Sequence, residues 1–224
     1  MRSLLRTSIL VVTVVATVAS AGAGAAAAAS RKGHRARVVR SFLTPPRPPA
    51  RLDVPCPGAT VNADDGTAVG FAASVMCLVN QERARHGLGA LAARPLLGAV
   101  GLRHANAMVV EDFFAHAEPG GLSYRARIFR AGYWRPPAVG FIAGENIAWT
   151  AGYRATPQAL VAGWMHSPSH RAEILDWRYR EAGVGVVMSS PPSLNVHDLG
   201  GATAAMEFGA LTYRTARAAR HRRG

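Results

Sequence analysis

The segment WMHSPSHRAEIL at residues 164–175, followed by EAGVGVV at residues 181–187, decides the fold of this chain. The first segment ends one predicted helix and restarts the chain at Ser167-Pro168, because proline at the first helical position needs no N–H group. Within the second segment, residues 183–187 form a short apolar run that is typical of a buried strand. A chain that combines helices with a few short strands forms an α+β layered domain.

Further helices are predicted upstream of this segment. Helical periodicity begins near Val69 and ends at Gly87, which fits a C-cap. Pro95 begins a second helix, Ser123 caps a short third helix that ends near Gly132, and Thr156 with the proline after it begins a fourth. Downstream, residues 204–208 form a second apolar run that predicts a buried strand.

The chain has 224 residues, a formal net charge of +13 and 49% hydrophobic residues, a composition that excludes wholesale disorder. Residues 1–51 carry nine basic side chains and residues 212–224 carry five, and neither segment has an acidic residue. Residues 52–211 hold twelve basic and thirteen acidic side chains, a net charge of −1. The body is therefore nearly neutral, and affinity for anionic surfaces is expected in the two tails.

The amino terminus resembles an export signal. Arg2 and Arg6 precede an apolar stretch at residues 9–19, and small residues at 19–21 fit a cleavage site. We predict a signal peptide at residues 1–29, a basic, proline-rich linker at 30–67, a folded domain at 68–211 and a basic tail at 212–224. The alternative is an uncleaved helix that anchors the protein in a membrane. Export argues against nucleic acid as a partner.

Two cysteines, Cys56 and Cys77, are the only ones in the chain. In an exported protein an even count predicts a disulfide, which here would attach the linker to the first helix. The alternative is two free buried thiols.

Several apparent sites have simpler explanations. His104 lies at an inward helical position, so we expect a hydrogen-bonded role in the core. His166 and His170 are four residues apart, but Pro168 lies between them, and the chain lacks the His-Glu-x-x-His pattern of metalloproteases. The Gly-x-Ser-x-Gly pattern of α/β-hydrolases is also absent.

Six segments in order resemble one known family: LVNQER (78–83), HANAM (104–108), FFAH (113–116), GENIA (144–148), WMHSPSHRAEIL (164–175) and EAGVGV (181–186). They are similar to the bacterial branch of the CAP superfamily, whose SCP-like domain is shared with cysteine-rich secretory proteins. The resemblance covers roughly residues 71–209. It implies a three-layer α-β-α sandwich, an extracellular location and a cleft with two histidines and acidic residues.

The resemblance assigns the cleft to His116, Glu145 and His170. Two imidazoles and one carboxylate are suitable ligands for a divalent metal such as zinc. The second acidic residue, which follows the tryptophan in the eukaryotic branch, is missing here, because Trp164-Met165 is followed by His166 and Ser167. Without metal, the same three side chains form a hydrogen-bonded set that orders the cleft.

Two function classes follow from this site. The first is a secreted binding module of the cell envelope, with a lipid, an anionic cell-wall polymer or a protein as its partner. The second is a hydrolase in which a metal-bound water or a histidine-activated nucleophile attacks a peptide, ester or glycan. Ser167 and Ser169 are close in sequence to His170 but lack a nucleophile motif. No catalytic residue and no oligomeric state is assigned.

A protein without residues 1–51 and 212–224 should fold normally but lose most of its salt-sensitive adhesion to anionic walls or vesicles. The reason is that exposed charges act over a distance that salt screens, and the tails carry the excess charge. Co-sedimentation of the full and shortened chains across a salt series measures this. Equal adhesion of the two proteins would place the contact on the domain.

Overall fold

A computed structural model describes residues 54–195 and 197–213. The predicted signal peptide, most of the linker and the chain from Arg214 onward lie outside these residues. No helix in the described ranges is long and apolar enough to cross a membrane. The helices are α1 (Ala68–Arg85), α2 (Pro95–Val110), α3 (Tyr124–Arg130), α4 (Pro157–His166) and α5 (Pro168–Ile174), and the strands are β1 (Ala92–Ala93), β2 (Gly140–Ala151), β3 (Glu181–Val187) and β4 (Gly201–Thr212).

The helix starts agree with the sequence predictions. The side chains of Ser123 and Thr156 accept hydrogen bonds from backbone N–H groups in the first turns of α3 and α4. Prolines occupy the first helical position of α2, α4 and α5. These residues satisfy or avoid the unpaired N–H groups that every helix start leaves, so local chemistry decides where these helices begin.

The four strands form one sheet in the order β1-β3-β4-β2, with β4 antiparallel to both neighbours and β1 parallel to β3. The predicted strands at residues 183–187 and 204–208 are confirmed as parts of β3 and β4. The twelve-residue strand β2 was not predicted. Its central residues are buried on both faces, so its sequence lacks the alternation that marks a half-exposed strand.

Helices cover both faces of the sheet. Ala204, Met206 and Phe208 of β4 share a core cluster with residues of α1 and α4, including Val75 and Trp164. The alternate side chains of β4 point to the other face, where Ala205 packs in a cluster with Ala105 and Met108 of α2. The domain is thus an α+β sandwich of three layers, helix, sheet and helix, as predicted.

Glycines allow α2 to lie directly on strand β3. A Cβ atom built on Gly185 would be 1.8 Å from the backbone nitrogen of Leu102, and one on Gly183 would be 2.0 Å from that of Gly98. Both contacts are with backbone, which cannot rotate away. Glycine at these positions therefore sets the distance between the sheet and α2.

A disulfide joins Cys56 to Cys77 of α1, with their Cα atoms 5.7 Å apart, so the predicted pairing is confirmed. The Gln81 side-chain amide donates a hydrogen bond of 2.7 Å to the Val54 carbonyl. Together these contacts hold the described end of the linker against α1.

Gly185→Ala should destabilise the domain by about 3 kcal/mol, because the added methyl group forces α2 away from the sheet. Gly163→Ala is the matched control. Gly163 lies on the exposed side of α4 with nothing within 4 Å of an added Cβ, and alanine there should stabilise the helix by roughly 0.5–1 kcal/mol. Urea unfolding of both variants measures the difference, and an unchanged midpoint for Gly185→Ala would contradict the close contact.

Candidate functional site

Strand β2 carries Glu145 into the side of the sheet that α2 covers. Its neighbours in the strand show the alternation: Ile147 packs with α2 residues, whereas Gly144 lies under Glu173 of α5 on the opposite face. Glu145 is paired in register with Glu207 of β4, and both carboxyl groups are fully buried. Two buried carboxyl groups next to each other require a positive partner or a proton.

Arg127 of α3 supplies the positive charge. Its guanidinium group donates a hydrogen bond to Glu145 Oε2 and lies 3.9 Å from Glu207 Oε1. It also donates to the carbonyl oxygens of His116 and Leu122 at 2.9 and 3.0 Å. One buried arginine therefore joins α3, the loop before it and the paired strands β2 and β4.

His116 forms the exposed edge of this network. Its Nδ1 lies 2.8 Å from Glu145 Oε1, and 49% of its side chain is exposed. Because an ionised carboxylate can only accept, Nδ1–H is the donor, and in the neutral ring Nε2 remains an acceptor. The buried carboxylate thus fixes the tautomer and the direction of a solvent-accessible imidazole.

His104 is buried behind the cleft. Its Nε2 is 3.0 Å from the Ala115 carbonyl oxygen and 3.8 Å from Glu145 Oε2. Burial lowers the pKa of His104, so the ring is neutral and donates Nε2–H to the carbonyl. The expectation of a hydrogen-bonded core histidine is confirmed.

The two buried carboxyl groups differ in charge. Burial raises the pKa of Glu207 well above its usual value, and the negative charge of Glu145 adds to this. Burial acts in the same direction on Glu145, but the hydrogen bond from His116 and the charge of Arg127 outweigh it, so the pKa of Glu145 is lowered. We therefore assign the negative charge to Glu145 and a proton to Glu207.

Glu207 lies directly across the strand pair from Glu145, so the two carboxyl groups are close enough to interact. The neighbouring Glu207 also helps to lower the pKa of Glu145. The pair is then a carboxylic acid beside a carboxylate.

Helix α5 supplies the other side of the cleft. The Asn146 side-chain amide of β2 donates a hydrogen bond of 3.0 Å to the His170 carbonyl oxygen and so fixes the first turn of α5. Burial lowers the pKa of His170, and the charge of His116 lowers it further. The two predicted cleft histidines are thus close enough to interact electrostatically.

Glu173 lies one helical turn after His170 and faces the same region. The Tyr179 hydroxyl donates a hydrogen bond of 2.6 Å to Glu173 Oε2. Burial raises the pKa of Glu173, while Tyr179 and the charge of His116 act to lower it. Glu173 is therefore an acidic residue near His116 that the sequence analysis did not identify.

The arrangement of the predicted metal ligands does not fit a metal ion. Both oxygens of Glu145 are engaged, one by His116 and one by Arg127. Within residues 54–195 and 197–213, no group of three or more His, Cys, Asp or Glu side chains is arranged to hold a metal. Zinc binding stays a prediction from the resemblance.

A separate hollow of about 400 Å³ lies beside helices α4 and α5, outside this cleft. Its lining residues are Met165, His166, Pro168, Arg171, Ala172 and Leu175. None of the predicted cleft residues lines it, and its shape is shallow, so the cleft with its charged network is the better candidate site.

The sequence model of the family described as "CAP: Cysteine-rich secretory protein family" matches residues 76–195, more than half of the chain. The chain belongs to the CAP family. A search of curated proteins finds no significant match.

Similar solved structures include three bacterial proteins. An extracellular protein containing an SCP domain from Bacillus anthracis has 29% identity and a TM-score of 0.49, and the match covers 63% of this chain and 40% of that one. An outer surface protein from Borrelia burgdorferi has 15% identity and a TM-score of 0.46, and the match covers 63% of this chain and 90% of that one. A cysteine-rich secretory protein from Staphylococcus aureus has 17% identity and a TM-score of 0.44, and the match covers 63% of this chain and 39% of that one. The match thus spans less than half of the first and third of these chains.

Within this CAP domain, the structure joins His116 to Glu145 directly and brings His170 within electrostatic range of His116. The sequence analysis missed Arg127, Glu207 and Glu173. One signal could have identified Arg127 as an inward-facing residue. It is next to the apolar Ile128 on a predicted helix and shares its buried side, whereas Arg130, three residues further on, is exposed. Glu207 could have been identified as an acidic residue inside an otherwise apolar strand.

Glu207→Gln should preserve the domain at neutral pH, because glutamine has the shape of the protonated acid. With a raised folded-state pKa, the stability that Glu207 contributes is complete below pH about 4.3 and falls as the pH rises towards that raised value. The variant should lack this fall. Urea unfolding at several pH values between about 5 and 8 measures it.

Glu145→Gln is the matched variant and should behave in the opposite way. It leaves the Arg127 cation buried without its carboxylate and should cost about 3 kcal/mol of stability. If Glu207→Gln were destabilising by the same amount at neutral pH, the proton would not reside on Glu207.

Proposed function

We propose that this CAP domain is an extracellular binding module of the cell envelope, and that its cleft holds a polar group of an envelope lipid or polymer. The observation that carries the proposal is the half-exposed His116 ring, which the buried Glu145 carboxylate holds in one tautomer. A preorganised polar side chain at the edge of a cleft binds a ligand without a further ordering cost.

The other cleft side chains support recognition of an uncharged polar group. His170 has a lowered pKa, which favours the neutral form of its ring. The charged groups of the network, Arg127 and Glu145, are buried and neutralise each other. Sugar hydroxyls and lipid head groups offer the donors and acceptors that such a surface pairs with.

A binding role is also supported by the surroundings of the histidines. Ser167 and Ser169 lie 3.3 Å apart, oxygen to oxygen, and contact each other. In the part of the chain that the structure describes, no serine, threonine or cysteine side chain is hydrogen-bonded to His116 or His170. A nucleophile activated by histidine requires such a contact.

The location rests on two features of the chain. The disulfide between Cys56 and Cys77 is typical of proteins in oxidising compartments outside the cytosol. The signal-like residues 1–29 lie outside the described ranges and support export, with a membrane anchor as the alternative.

A histidine-activated hydrolase is the second candidate, because one observation favours it. A carboxylate that orients an imidazole through Nδ1 leaves Nε2 in position to accept a proton from water. In this alternative, His116 is the general base and Glu145 holds its ring.

The proposal is tested on the full protein purified from its native envelope, with mass spectrometry of the lipids and glycans that accompany it. His116→Ala should retain about ten-fold less ligand than the unchanged protein, since one oriented polar contact is removed. His166→Ala is the control, because His166 is an exposed histidine that lines the separate hollow.

Equal retention by the unchanged protein and His116→Ala would contradict a cleft-bound ligand, and a loss with His166→Ala alone would move the ligand to the hollow. Incubation of the protein with the extracted components separates the two candidates. Products that accumulate with time and disappear with His116→Ala would favour the hydrolase.

A further inference from the structure

A group of exposed and half-buried aromatic side chains lies on the outer side of α3 and at the start of β2. The Phe129 ring is stacked beside Trp134 with centroids 6.0 Å apart and beside Phe141 with centroids 6.5 Å apart. Phe129 is 52% exposed, and Val139, just before β2, is 44% exposed. We call these four residues the aromatic face.

Phe141 of the aromatic face packs against the core beside Tyr133, but Phe129 and Val139 are not part of a core cluster. Helix α3 directs Arg127 and Ile128 inward, where both are buried, and the next residue, Phe129, therefore points outward. Exposed apolar side chains that cluster in this way mark interaction sites, whereas single ones do not.

The sequence segment that carries the aromatic face has charge of one sign. Residues 119–144 contain four arginines and no acidic residue. Arg127 is used inside the cleft network, but Arg125, Arg130 and Arg135 are exposed. The guanidinium group of Arg125 lies 4.7 Å from the centre of the Phe141 ring. The complementary partner is therefore negatively charged.

The basic C-terminal tail begins beside the same face. The N–H of Val139 donates a hydrogen bond of 2.7 Å to the Thr212 carbonyl oxygen, and Gly140 pairs with Thr212 in the sheet. The described chain ends at Tyr213, one residue further on. The sequence that follows, residues 214–224, carries five arginines and no acidic residue.

We propose that the aromatic face and the three exposed arginines beside it bind the surface of an anionic lipid membrane. Stable attachment to a bilayer takes two signals, an apolar group that enters the interface and basic residues that attract anionic head groups. Phe129 and Val139 supply the first, and Arg125, Arg130 and Arg135 supply the second. Insertion of the exposed Val139 side chain on binding favours lipid over a hydrated polymer, because a polymer offers no apolar layer for an aliphatic side chain.

This contact goes beyond the proposed function, on which it depends only for the location outside the cytosol. The cleft takes no part in it. Helix α3 separates the two surfaces, since its inner side holds the Arg127–Glu145 ion pair and its outer side presents Phe129.

The test is co-sedimentation of the full protein with vesicles of equal parts phosphatidylcholine and phosphatidylglycerol, and with vesicles of phosphatidylcholine alone. The double variant Phe129→Ser, Val139→Ser should bind the anionic vesicles about ten-fold more weakly, because two apolar groups no longer enter the interface. Arg130→Gln should weaken binding roughly five-fold at physiological salt and less at high salt.

Tyr153→Ser is the matched control. Tyr153 is also an exposed aromatic residue with an arginine beside its ring, but it lies just beyond the opposite end of β2. It should bind as the unchanged protein does. Thermal unfolding of each variant checks that these exposed substitutions leave the fold intact.

Unchanged binding of the double variant would overturn the proposal, because the tail alone would then account for adhesion. The proposal would also be overturned if all of the proteins bound the vesicles equally and the variants lost only their binding to an anionic wall polymer. His116→Ala should bind vesicles normally, and this separates failure of the membrane contact from failure of the cleft.

Discussion

The ion pair between Arg127 and Glu145 is the interaction on which the rest of the site depends. Both side chains are buried, so each charge is tolerable only because the other is present. The arginine also binds the carbonyl oxygens of His116 and Leu122, which fixes the loop that carries the exposed imidazole. The ion pair therefore supports the fold of α3, the charge state of the two glutamates and the orientation of the cleft.

A single short helix connects the two proposed contacts of this protein. The seven residues of α3 place Arg127 on the inside, in the cleft network, and Phe129 on the outside, in the aromatic face. A ligand in the cleft and a membrane at the outer face would thus be held by opposite sides of one element.

Much of the domain could be predicted from local chemistry. The starts of α3 and α4 follow from capping residues, and the disulfide follows from two cysteines in an exported chain. Strand β2 could not be predicted, because burial on both faces removes the alternation of polar and apolar residues. Glu145 was consequently found only through resemblance to the CAP family, and no strand was assigned to it.

The residue types and their order along the chain were enough to predict the α+β class and the family, and the resemblance named His116, Glu145 and His170 as cleft residues. The partners of Glu145 emerged only once the chain was folded, because Arg127 and Glu207 are 18 and 62 residues away from it and belong to a helix and a strand with no shared motif. An arginine on a short helix looks like any solvated cation until the sheet packs against it. Burial then removes water from these groups, and only in that environment do charge, proton position and hydrogen bonding become mutually dependent.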